Sequence, residues 1–534
     1  MAPINEYYSK YKKDIDSVHP LYAQYEADWI LYNTAYNGGM DFIEYSLHKH
    51  ARETYQNWRE RIKEGVCFNY ASAIVDLFNF YISDKPSARD FNSTFPKNQG
   101  DSDIKIQIRR SIRGFDSDIQ WNMFLKDCDL HNKNFDVFMC DAQKIASIFG
   151  SAGILVTKPP GSGVEYRNVA EEVRNRIYPY VTAFSTLQIL DWQFKRNPYT
   201  SRFELIFLKL KESKDEYLVW TPSFWERWEK SDKNDIILME TGSNPLGEIP
   251  FVWLPNITSL SNWYLGESDI KEISRITASI IRNISCGEET MKFCGFPMLI
   301  LPREHEGEDA TGDGTQEVSP TSILEKNPEY GAGGSPEWLE PKIQEAIEAN
   351  LAWTDRKADE IYRIAHLSGV HGQRKSNNEV ASGLALRYEF QQLNSVLLQK
   401  ATNLDEAEMN VIRLWLKWQG KRDMIDRITV SRPKSFSVDE LQIELANLFE
   451  CVDRIPSDHF KRVAYKHACN QVLPDMKDSD IERISKDIDK HKFPKPVVDD
   501  PEAKPDPEAK PDPEPKNEND ISWDNAFKKN KMRE

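Results

Sequence analysis

The stretch LGESDIKEISRITASIIRN, residues 265–283, sets Ile270, Ile273, Thr277 and Ile280, with Ile284 just beyond, at alternating steps of three and four. That spacing places them on one stripe of an α-helix. A second helical pattern runs from about Trp338 to His366, with Ile343, Ile347, Leu351, Ala358, Ile361 and Ala365 in step. A third begins near Asn378 and carries Phe390, Leu393, Leu397, Ala401, Leu404, Val411, Trp415 and Trp418. At 1.5 Å per residue these helices span roughly 40–60 Å each. Such lengths suit walls better than the core of a compact enzyme.

Outward from this centre, composition limits what the chain can be. It has 534 residues, 40% hydrophobic and 11% aromatic, enough for about two to four domains with real cores. No run approaches the 18 or so apolar residues of a membrane helix. The start, MAPINEYYSKYKK, shows no apolar leader segment, so a protein made and kept inside a cell is expected. The formal net charge of -16 argues against tight, general grip on duplex DNA, which calls for Lys and Arg against phosphate. It is compatible with an acidic surface past which DNA slides, and equally with plain solubility. Cys67, Cys128, Cys140, Cys286, Cys294, Cys451 and Cys469 form no CxxC pair and read as reduced, mostly buried thiols.

The expected fold class is α+β, mainly helical. Residues 1–20 read as a polar, tyrosine-rich arm and Tyr22 to Tyr81 as helical, closed by Lys85-Pro86. Residues 87–117 read as an outward loop, and Asp118 to Ile148 as a helical run capped by Gly150. Short β-rich runs follow from Gly153 to Glu240, separated by PPGSG, RNPYTS, SDKND and GSNPLGEIP, and predict one antiparallel sheet unit. Between the first two long helices, FPMLILP (296–302) predicts a strand, and Thr321 to Leu324 a second. An insert this short cannot bury a core alone and would be stabilised against copies of itself. After Gly420 come a short strand (Arg427 to Val430) and a last helical region, about Val438 to Lys490, with Ser437 and Glu440 as a capping box. DPEAKPDPEAKPDPEPK (500–516) predicts an extended tail, with Ile521, Trp523 and Phe527 as a potential docking segment beyond it.

Catalytic and metal motifs are poorly represented. There is no G-x-x-x-x-G-K-[ST] loop, GxSxG or HExxH. Asp309, Asp313 and Glu317 miss the calcium-loop spacing, and His48 and His50 stand two apart, which on a helix points them away from each other. His459, His467, Cys451 and Cys469 have mixed spacing on the last helical region. No cofactor and no metal are therefore expected. The segment that stands out is HGQRKSNN, with His371, Gln373, Arg374, Lys375, Asn377 and Asn378 in a basic, amide-rich loop between two long helices. Its length exceeds the usual helix–helix connection, and long loops on rigid helices often carry function.

In order and texture the chain resembles the portal proteins of tailed bacteriophages. TYQNWRERIKEGVCFNYASAIVDLFNFYISDKP (54–86) is similar to that family's N-terminal region. LGESDIKEISRITASIIRN followed by CGFPMLI is similar to its first stem helix and next strand, and SGLALRYEFQQLNSVLL (382–398) to the helix after its tunnel loop. The resemblance implies an arm (1–20), a wing (21–264), stem helices (265–295 and 338–366) separated by a clip (296–337), and a tunnel loop (367–379). A wing helix with return strand (380–436), a crown (437–490) and a disordered Pro-rich tail (491–534) would complete it. It implies a ring of twelve subunits at the unique capsid vertex, a virion component assembled in the host cytoplasm with no membrane contact. Its expected partners are the major capsid protein, the terminase large subunit, a head–tail adaptor and double-stranded DNA in the channel. In that reading the chain is not an enzyme, and Arg374 and Lys375 meet phosphates in passing. The alternatives are another virion structural protein, or a metal-dependent hydrolase or nuclease.

Overall fold

The computed structural model describes residues 15–51, 53–84, 87–91, 119–159, 169–231, 235–260, 262–295, 298–302, 324–326, 337–339, 344–367, 383–432, 448–452, 454–455, 457–472 and 478–491. They fall into two compact units, Met1–Ser437 and Val438–Glu534. The fold mixes helix and sheet and is α+β.

The first unit opens with four helices, α1 (Pro20–Asn37), α2 (Gly39–Ser46), α3 (Tyr55–Glu64) and α4 (Tyr70–Ser83). Their starts are written locally. Thr54 accepts from the Asn57 N–H at 3.1 Å and Asn69 from that of Ser72 at 2.9 Å, satisfying donors the first turn leaves unpaired. The segment before α1 is held rather than loose: Ile15 is buried, and the buried Lys209 ammonium donates to the Ile15 carbonyl at 3.1 Å and to that of Ser17. Residues 88–91, expected in a loop, form β1 (Ala88–Phe91). Helices α5 (Ile119–Lys126) and α6 (Phe135–Phe149) replace the expected single run, split by a turn in which Leu130 and Asn132 take positive φ. Gly150 ends α6 with φ +89, the left-handed cap its position suggested.

Next come β2 (Ser151–Thr157), α7 (Val169–Arg174), β3 (Tyr180–Ser185) and the strands β4 (Ile189–Arg196), β5 (Phe203–Lys211), β6 (Glu216–Trp220), β7 (Phe224–Lys230) and β8 (Ile236–Ser243). β9 (Phe251–Pro255), which directly follows a turn cluster, was not foreseen as a strand. Two sheets result instead of one: the meander β4-β5-β6-β7-β8 and the three-stranded β3-β2-β9, all antiparallel. β2 lies in the middle of the smaller sheet and is buried along its whole length, so it reads as a continuous apolar run without alternation. Short strands β10 (Ile257–Thr258) and β11 (Gly266–Glu267) lead into α8 (Lys271–Gly295).

The insert holds β12 (Met298–Pro302), β13 (Leu324–Lys326) and β14 (Glu337–Leu339) in a small sheet ordered β13-β12-β14. Trp338, expected at the start of the second long helix, is strand and pairs with Leu299. That helix, α9, spans Gln344–Ile364 and the third, α10, spans Gly383–Trp418. Their 25, 21 and 36 residues correspond to roughly 38, 32 and 54 Å. The unit closes with β15 (Ile428–Ser431), antiparallel to β1 with Ala88 opposite Ser431. The core stripe of α8 is as spaced in the sequence: Ile270, Ile273, Thr277 and Ile280 are buried. On α10, Leu393, Leu397, Ala401, Leu404, Val411 and Trp415 are buried as well. On α9, Ile361 is buried, as is Ala365 just past its end, but Leu351 is 63% exposed, against expectation.

In the second unit, α11 (Asp458–Val472) and α12 (Asp478–Lys490) are tied by Lys466 to Asp489 at 2.8 Å. The Ser437–Glu440 box and the Pro-rich tail lie outside the described residues, as do Ile521, Trp523 and Phe527.

Candidate functional site

The expected loop residues His371, Gln373, Arg374, Lys375, Asn377 and Asn378 lie outside the described residues. Their flanks are described. α9 ends at Ile364, His366 takes φ +56, and α10 begins at Gly383.

What the fold does bring together is a polar root where α8 and α10 meet the small sheet. Lys400 of α10 and Asp269, just ahead of α8, form an ion pair with side-chain exposures of 0% and 2%. Asp269 also accepts from the Asn256 amide at 2.9 Å, which donates to the Glu267 carbonyl at 3.0 Å. The Asn256 Oδ1 accepts from Gln143 of α6 at 3.0 Å and from Ser147 at 3.3 Å. Asn403, one turn along α10 from Lys400, donates to the Asn256 carbonyl at 3.0 Å. The Lys400 ammonium sits 4.6 Å from the Phe78 ring centroid, so α4 joins the same point. Burial holds the Lys400 pKa below its ordinary value, and Asp269 only partly offsets that.

A second cluster surrounds Glu408, two turns further along α10. The fully buried Glu408 carboxylate accepts from Ser87 at 2.9 Å, from Arg89 of β1 at 2.5 Å and from Arg432 beyond β15. Arg432 also donates to Asp405 at 2.6 Å, and Arg89 pairs with Asp136 of α6. Burial opposes the Arg89 charge, but Glu408 and Asp136 outweigh it and raise its pKa. Burial likewise raises the Asp405 pKa, with Arg432 opposing. These groups hold elements separated by more than 300 residues, and their charges are spent on one another. Sequence reasoning did not single them out. The available signal was that Lys400 and Glu408 fall on the buried stripe of α10, between Leu397, Leu404 and Val411.

Beyond the root, α8 and α9 run antiparallel as a hairpin with polar seams. Lys357 donates to Ser279 at 2.7 Å, Asn283 to Thr354 at 3.4 Å, and Asn350 to the Asn283 carbonyl at 2.8 Å. Toward the insert the hairpin becomes exposed: Leu351 is 63%, Trp353 53% and Met291 53% accessible.

A cleft of about 1020 Å³ opens between β5, β9 and α10, rimmed by Phe203, Trp253 and Trp263. Part of its polar lining is engaged in structural bonds: Lys417 pairs with Glu248, Glu204 accepts from Asn197 at 2.7 Å, and Arg413 donates to Asn410 at 3.1 Å. Among the described residues no group of three or more His, Cys, Asp and Glu side chains is placed to hold a metal ion. No helix among them is long and apolar enough to cross a membrane.

No family model matches this sequence, and no curated protein matches it. Among solved structures, the chain is similar to a chain from the neck of an empty GTA particle computed with C6 symmetry. The identity is 10% and the TM-score 0.38, over 74% of this chain and 88% of the other. Similarity at that level fixes neither fold nor function.

Proposed function

We propose that the chain is a portal-type virion structural protein: a ring-forming subunit at the capsid vertex whose assembled channel passes double-stranded DNA. The observation that carries the reading is the α8–α9 hairpin, rooted in the body by a buried ion pair yet exposed along its outer half. At its far end the described strands β12, β13 and β14 contribute eleven residues in all, five, three and three. A sheet this small is stable only when packed against further elements. A single chain thus presents a helical arm whose tip calls for neighbours, which is what a subunit of a ring requires. The order of elements, from helical start to return strand, supports the same reading through the resemblance carried by residues 54–86, 265–300 and 382–398. In this assignment α8 and α9 are the stem, β12 to β14 belong to the clip, and the loop bearing Arg374 and Lys375 faces the channel. The net charge of -16 lets DNA slide, with the loop giving brief phosphate contacts. Terminase, a head–tail adaptor and the major capsid protein are the partners of this role.

The test is the native mass and symmetry of the purified protein, by light scattering and class averages. A closed ring of about twelve chains is expected. In such particles Arg374→Ala with Lys375→Ala should lower DNA retention while leaving the ring intact. A monomer at every concentration and salt would overturn the assignment.

A further inference from the structure

Helix α9 is unusual in that only Ile361 of its 21 residues is buried. The side turned to α8 is marked by Asn350, Thr354, Lys357 and Ile361. At 100° per residue, Trp353 lies about 80° to one side of that direction and Leu351 about 80° to the other. The hairpin therefore has two distinct exposed flanks, each with one large apolar side chain at its centre.

Their charges are opposite. Around Trp353, the Arg356 guanidinium and Lys357 ammonium stand 6.0 and 5.6 Å from the ring centroid. Arg282 of α8, which donates to the Ser46 carbonyl at 3.4 Å, is close enough that its charge joins burial in lowering the Lys357 pKa. Around Leu351 the neighbours one turn either way are Glu348 and Asp355, both exposed. Around Trp353 the flank is thus basic and aromatic, with Glu360, paired to Arg363, two turns further on, and around Leu351 it is acidic and aliphatic.

We propose that copies of this chain pack through α9, the Trp353 flank of one copy against the Leu351 flank of the next. This rests on the ring reading and specifies which surfaces make the ring. The charge pattern selects the mode of contact. A two-fold dimer would set a flank against itself, basic on basic or acidic on acidic, and like charges at an interface are repelled. Joining unlike flanks is heterologous, and a heterologous contact closes into a ring when its rotation permits. Trp353 and Leu351 then become buried anchors between chains, with Arg356 and Lys357 meeting Glu348 and Asp355 at their edge.

The experiment uses the full chain with two charge-reversed variants at exposed positions. Arg282→Glu with Arg356→Glu makes both flanks acidic, and Glu348→Lys with Asp355→Lys makes both basic. Each alone should assemble at least about tenfold more weakly than wild type by mass photometry, with unchanged circular dichroism. Mixed in equal amounts, the two should regain assembly in rings with an even number of alternating chains. Wild-type rings together with variants that assemble equally well would overturn this contact while leaving the ring reading standing. Wild-type monomers at all concentrations would overturn both. If a charge variant melts early, Trp353→Ala and Leu351→Ala take its place, and assembly unaffected by either overturns the proposal.

Discussion

The root, where the start of α8 meets α10 and the small sheet, and the outer half of the α8–α9 hairpin could hardly differ more. At the root, Asp269, Lys400, Asn256, Gln143 and Asn403 form a connected network with both charges out of water. In the outer half, Trp353 and Leu351 face solvent and the seam is made of single amide and hydroxyl bonds. A buried ion pair adds little net stability over an apolar pair of the same shape, because desolvation cancels most of the attraction. What it adds is intolerance of misalignment: a slip of α10 by one residue would strand two charges in the core. The root is overdetermined within one chain, whereas the outer hairpin is left incomplete in it.

The sharpest way to break that contrast is Lys400→Ala. Asp269 would remain buried without its cation, and loss of one partner of a buried pair costs roughly 3–5 kcal/mol. Denaturant unfolding of the variant should show a loss of that size. Asp269→Leu combined with Lys400→Met should recover most of it, since no lone charge remains. If Lys400→Ala unfolds at the wild-type midpoint, the root is not the organising point described here.

The sequence made the three helices legible because their apolar stripes repeat at helical spacing, and Leu393, Leu397, Leu404 and Trp415 are buried as spaced. It misplaced Leu351, whose spacing fits the stripe but which is 63% exposed, since α9 turns Asn350, Thr354 and Lys357 rather than Leu351 toward α8. β1 was unreadable because ARDF carries no apolar alternation and its partner lies at 428–431. The root was hidden for a related reason: Asp269 and Lys400 are 131 residues apart, and only the fold brings them together. Lys400 on an apolar stripe was the one local sign. The loop residues from His371 to Asn378 were singled out by composition and length, and their placement lies outside the described residues.

Between root and tip, Arg61 of α3 braces the hairpin. It donates to Glu53 through two bonds of 2.9 and 2.8 Å, to the His48 carbonyl at 2.8 Å, and stands 3.8 Å from Glu289 of α8. Burial opposes the Glu53 charge, but the bonds from Arg61 and the His50 N–H win and lower its pKa below 4.5. A carboxylate with a lowered folded pKa stabilises above its unfolded value and loses that contribution as pH falls through the folded one. Glu53→Gln should therefore cost about 1–3 kcal/mol at neutral pH and flatten the loss of stability seen on acidification below about pH 4.5. Glu289 works the other way, since burial raises its pKa against the pull of Arg61. Thermal melts of Glu53→Gln that keep the wild-type acid slope would remove Arg61 from this role.

The smallest effect is expected at Gly287, and it distinguishes the two regions most directly. At the root, a Cβ on Gly150 would stand 2.4 Å from the Gly266 carbonyl oxygen at a φ of +89, so both backbone and neighbour forbid it. On the outer hairpin, a Cβ on Gly287 would meet only the Asn350 amide nitrogen at 3.1 Å, the far end of a flexible side chain. Alanine in a helix interior gains about 0.5–1 kcal/mol over glycine. Displacing Asn350 weakens its 2.8 Å bond to the Asn283 carbonyl, worth about the same. The two nearly cancel, so Gly287→Ala should shift the unfolding midpoint by less than about 1 kcal/mol. A loss of several kcal/mol would mean that the outer seam is packed as tightly as the root, and the contrast between a finished base and an unfinished arm would fail.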